Sequence, residues 1–80
     1  MTPQEILANI NKIIISENGL PINMGNHFVQ SELDSLGTMI ALLTITDEFN
    51  INSEELDDIV IKDLKVIDLV DLCKSSITNV

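Results

Sequence analysis

Branched aliphatic residues recurring at steps of three and four limit this chain more than any other feature. Ile6, Leu7, Ile10, Ile13 and Ile14 fall on one face of a helix. Thr38, Ala41, Leu42, Ile45 and Phe49 form a second such face, and Val66, Leu69, Val70, Cys73 and Ile77 repeat its spacing. With two Phe and no Trp or Tyr among 80 residues, a core has to be assembled from these aliphatic side chains. A chain of this length is one small domain, residues 1–80. The expected fold class is therefore all-α: a four-helix bundle of three longer helices and one short helix, with a long ordered loop between helices one and two.

Local signals place the boundaries. Thr2, Pro3 and Glu5 read as a capping box, so the first helix begins at Pro3, and Asn18-Gly19 supplies a left-handed stop. Residues 20–33 contain Pro, Asn and Gly without a sustained period and read as the long loop. The second helix runs from Ser35 to Phe49, where Asn50 closes it. Ser53 caps a short helix of only two turns, with acids in its first turn. Asp63 caps the last helix, which ends near Ser75-Ser76.

The second helix carries one apolar stripe too many. At about 100° per residue, Leu36, Met39, Ile40 and Leu43 form a stripe offset by roughly 150° from the core face. A surface helix of a small bundle should be polar there. Either the long loop folds back over this stripe, or the stripe docks partner proteins.

Charge and composition exclude several function classes. Thirteen acids against four lysines give a net charge of −9, which argues against nucleic acid and anionic lipid as partners and favours surfaces with basic patches. No apolar run approaches the length of a membrane span. Cys73 stands alone, and no basic start leads into a cleavable apolar run, so the expected location is the cytoplasm. Cys73 reads as a small core hydrophobe and His27 as a solvated or loop-packing side chain. The acid runs Glu54-Glu55 and Asp57-Asp58 read as a solvated face with partner attraction as a second role. One Cys and one His fall far short of a tetrahedral metal set, and the acids lack the spacing of a calcium loop.

Ser35 is the remaining candidate for chemistry. A nucleophilic serine needs a base and a group that orients it. The only histidine lies eight residues upstream in the loop, and there is no GxSxG elbow. A self-activated serine is thus disfavoured, which leaves a serine to which something is attached.

The residues that bear on this are "LDSLGT" at 33–38 and "EFNI" at 48–51, with Phe28 seven positions before Ser35. Together with the length, the acidity and the opening amphipathic helix, they resemble the phosphopantetheine carrier proteins, the acyl, peptidyl and D-alanyl carriers. The resemblance spans nearly the whole chain. It implies that Ser35 is the attachment point of 4′-phosphopantetheine, added by a phosphopantetheinyl transferase, and that the arm carries cargo as a thioester while the protein itself is not an enzyme. Asp34 reads as the cap of the second helix, and by the same likeness it serves transferase recognition, Leu36 packs beside the arm or the transferase, and Leu36, Met39, Ile40 and Leu43 dock partners together with Asp47 and Glu48. Gly37 permits close approach by the arm or a partner backbone, or is simply tolerated cheaply in a first helical turn.

Departures from the family pattern matter. Fatty-acid-synthesis carriers usually place acids where this chain has Gly37, Ile40 and Thr46, so the likeness favours a dedicated partner set over the housekeeping fatty-acid enzymes. The resemblance leads to an acyl carrier of fatty-acid or related specialised biosynthesis, monomeric because a dimer burying the second stripe would block docking. Its expected partners are the transferase, a loading ligase and downstream pathway enzymes. The interval from Phe28 to Ser35 suits a D-alanyl or aminoacyl carrier loaded by an adenylating ligase, although Ser31 stands where those carriers often show glycine. An unmodified helical adaptor is a third reading.

Overall fold

The computed structural model describes residues 1–52, 54–57 and 59–78. Among them the chain is all-helical, with four α-helices and no strand: α1 is Pro3–Ser16, α2 Ser35–Phe49, α3 Glu54–Asp57 and α4 Val66–Thr78. Among them, too, no helix is long and apolar enough to cross a membrane.

α1 and α2 begin and end where local chemistry dictates. Thr2 accepts from the Glu5 amide while the Glu5 carboxylate accepts from the Thr2 amide, and Pro3 fills the first turn. These bonds hold the Glu5 carboxyl below the usual carboxylate range. At the other end of α1, Asn18 takes a left-handed φ of 70°. The Asn18 and Gly19 amides then donate to the Ile15 and Ile14 carbonyls at 3.0 and 2.9 Å. The left-handed residue is thus Asn18. Gly19 is needed for space instead, because a Cβ there would lie 2.6 Å from Ile14 Cγ2 and 2.7 Å from Leu33 Cδ2. α2 is closed by Asn50, again left-handed, whose amide donates to the Thr46 carbonyl.

α1, α2 and α4 each contact the other two. Ile6, Ile10 and Ile14 from α1, Ala41 and Ile45 from α2, and Val66, Leu69, Val70 and Cys73 from α4 meet in one buried cluster. Between α1 and α2, residues 17–34 form only a short 3-10 turn, Phe28–Ser31. That segment contributes Ile22 and a fully buried Phe28 to the core. Its backbone is satisfied by distant partners. The Asn11 side chain both donates to the Ile22 carbonyl and accepts from the Ile22 amide, each at 2.8 Å. The Leu20 amide donates to the Ser31 carbonyl at 2.7 Å, and the buried Ser31 hydroxyl donates to the Phe28 carbonyl, also at 2.7 Å.

The start of α4 differs from the expectation. Asp63 does not cap it: Asp63 closes a 3-10 turn, Ile61–Asp63, and α4 begins at Val66. The reason is a tertiary contact. The Phe28 amide donates to the Leu64 carbonyl (2.8 Å) and the Val66 amide to the Asn26 carbonyl (2.9 Å), an antiparallel bridge between His27 and Lys65. This bridge holds Leu64 extended and buried, so the helix nucleates only after it. The end of α4 also lies past Ser75-Ser76, because Ile77 still packs against the core. α3 is a single turn with no buried residue. The cap expected at Ser53, and Asp58 of the second acid run, lie outside the described residues.

Candidate functional site

Ser35 is the first residue of α2 and is exposed. Asp34 is its N-cap, with extended backbone at φ −71° and ψ 178°. The Asp34 carboxylate accepts from the Gly37 amide at 2.6 Å, a charge-assisted cap bond. The Asp34 carbonyl accepts from the Thr38 amide at 2.8 Å, and the Thr38 hydroxyl donates to the Leu33 carbonyl at 3.4 Å. The Ser35 hydroxyl itself has no hydrogen-bond partner among the described residues. It therefore stands at the positive end of a 15-residue helix with its oxygen available to solvent or to a visiting protein.

Gly37 has a structural explanation that neither sequence reading contained. It is buried, and a Cβ there would lie 3.0 Å from Asp34 Oδ1 and 3.4 Å from Leu33 Cδ2. The glycine lets the capping carboxylate close down on the first turn.

The two stripes of α2 separate cleanly. Ala41, Leu42, Ile45 and Phe49 are buried and Thr38 half-buried. Leu36, Met39 and Leu43 are 66%, 59% and 61% exposed, and Ile40 is 38% exposed. The connecting segment does not cover this stripe, since it is tied down against α1 and the start of α4. At about 100° per residue Asp47 continues the line of the stripe, whereas Glu48 falls about 130° round the helix. There Glu48 lines a shallow polar depression with Lys12 and Ser16 of α1. The structure thus places Leu36, Met39, Ile40, Leu43 and Asp47 along one stripe, sets Ser35 with Met39 and Leu43 in a groove beside it, and leaves Asp34, Gly37 and Glu48 off the stripe.

Beside the stripe lies an open groove of about 470 Å³. Ser35, Thr38, Met39, Leu42 and Leu43 form its α2 wall. The facing wall comes from two other segments: Val29 and Leu33 before α2, and Leu56, Ile61 and Lys62 after it. These facing residues carry no sequence signal as a group, because they lie up to 33 positions apart (62 − 29) and meet only in the folded chain.

His27, the only ring base, is exposed, and its backbone is fastened to the entry of α4 rather than to the groove. Among the described residues no three His, Cys, Asp or Glu side chains are placed to hold a metal ion. The available hydroxyl, the helix N-terminus and the adjoining apolar groove fit a serine-linked phosphodiester that bears a flexible arm. Compared with protein-family models, curated proteins and solved structures, the chain matches none of them.

Proposed function

We propose that this protein is an acyl carrier: Ser35 holds 4′-phosphopantetheine through a phosphodiester, and the thiol ending that arm holds an acyl group as a thioester. The observation that carries the reading is the exposed, unpartnered Ser35 hydroxyl at the capped start of α2, at one end of an apolar groove. In attachment the Ser35 oxygen forms a bond to the β-phosphorus of coenzyme A. The phosphoanhydride bond breaks, adenosine 3′,5′-bisphosphate leaves, and the hydroxyl proton passes to the transferase. This chain's contribution is presentation. The helix dipole favours the new phosphodiester by about 0.3 to 1 kcal/mol at an exposed site. Asp34 fixes the first turn through the Gly37 amide, so the serine is offered in one orientation. The groove gives the arm or its cargo an apolar surface to lie on.

In this role the chain performs no catalysis and works as a cytoplasmic monomer. It is a four-helix bundle whose connecting segment is fastened away from Ser35, passed from a phosphopantetheinyl transferase to a loading ligase and then to the enzymes of fatty-acid or related specialised biosynthesis. Incubation with coenzyme A and a broad-specificity phosphopantetheinyl transferase, followed by intact mass measurement, tests it. The wild-type chain should gain the mass of one phosphopantetheine and Ser35→Ala should gain nothing. An unchanged wild-type mass, or an equal gain in the alanine variant, would refute the reading.

A further inference from the structure

Resting on the carrier reading, we infer that Lys62 is a positioning residue for the arm: its ammonium pairs with the phosphodiester formed on Ser35 and sets the direction in which the arm leaves α2. Ser35 and Lys62 line the same groove, Ser35 on the α2 wall and Lys62 on the facing one. The phosphodiester is bonded directly to the Ser35 oxygen, so its negative charge enters here whatever course the rest of the arm takes.

The charge in this groove runs against that of the chain. Thirteen acids outnumber four lysines, yet among the described residues that line the groove the one ionisable side chain is Lys62. Lys62 is exposed and has no ion-pair partner among the described residues. The described acids near it in the chain turn elsewhere. Asp63 lines a separate depression with Ile59, Leu64 and Asp68, and α3 gives the groove Leu56 but none of its acids.

On the other wall, the Asp34 carboxylate already occupies the Gly37 amide. An anion added at Ser35 therefore gains from a cation that α2 does not itself supply. A lysine ammonium on its flexible four-carbon stem is a point charge that binds phosphate oxygens without demanding one geometry. The pair bridges α2 and the 3-10 turn Ile61–Asp63, so the arm starts out between the apolar walls instead of sweeping freely.

The test compares wild type with Lys62→Met, which keeps an apolar stem without the charge, and Lys62→Arg, which keeps the charge. Each is loaded by the transferase, and loading is checked by intact mass. The melting temperature is read before and after loading, so that any cost of the substitution to the unloaded fold cancels. In about 0.01 M salt, where screening reaches about 30 Å, loading should raise it about 2 to 5 °C more in wild type and Lys62→Arg than in Lys62→Met. At about 1 M salt, where screening falls to about 3 Å, that difference should vanish. Phosphorus NMR reads the pair directly: the phosphodiester resonance of Lys62→Met should stand apart from that of wild type, and Lys62→Arg should restore it. Equal gains on loading, coincident phosphorus resonances, or a difference that persists at high salt overturns the inference while leaving the carrier reading intact. A wild-type chain that gains no mass removes the carrier reading itself, and this inference with it.

Discussion

Ser35 and Asp34 do different work at adjacent positions. Asp34 is spent on structure: its carboxylate ties the Gly37 amide, and a cap of this kind is worth about 1 kcal/mol. Ser35 is spent on nothing within the described residues, which is why it is the candidate for modification. Cys73 is the opposite case, a nucleophile removed from use. It is fully buried, and loss of water around the sulfur pushes its thiol from the ordinary 9.0 up to about 12. A pH dependence follows from the sign of that shift. Above about pH 9 the unfolded chain releases the thiol proton while the folded chain keeps it, so the unfolded state gains. The stabilising contribution is complete below about pH 9 and is lost progressively as pH rises toward about 12. Denaturant titrations of wild type and Cys73→Val at rising pH should show a steeper loss in the wild type. A thiol reagent at neutral pH should label the native protein no faster than the protein opens.

At the scale of elements, α2 serves two environments at once. Its inner stripe is core and its outer stripe is surface, though both are written in the same residue types. Stability measurements separate them. Ile45→Ala, at a fully buried site, should cost about 2 to 5 kcal/mol. Leu43→Ser, two residues away and 61% exposed, should change stability by no more than about 0.5 kcal/mol. Equal losses from the two variants would mean that the outer stripe is covered after all. The sequence showed both stripes and offered two explanations of the second. Choosing between them required the position of residues 17–34, which depends on hydrogen bonds from Asn11 and to Leu64 and Asn26. The start of α4 was misread for the same cause. Asp63 is a good cap residue three places before an apolar period, but the bridge to His27 holds residues 64 and 65 extended and postpones the helix.

For the whole molecule, the long connection between α1 and α2 is an integral part of the core. Phe28 from that segment is fully buried among the three longer helices, so Phe28→Ala should destabilise the entire chain by about 3 to 5 kcal/mol. Circular dichroism during thermal unfolding should show a single transition at lower temperature. Loss of the connecting segment alone, with α-helical signal retained, would contradict this. The sequence by itself determined the helices, their inward faces, the caps at Thr2 and Asp34, the stop at Asn50 and the position of Ser35 at a helix start, because each rests on neighbours within about four residues. Tertiary structure alone decided the outer wall of the groove, the exposure of Leu36, Met39 and Leu43, the burial of Gly37 under Leu33, and the late start of α4. Those outcomes depend on segments distant in the chain meeting in space, and a local pattern of residue types carries no record of which distant backbone will satisfy its hydrogen bonds or cover its apolar face.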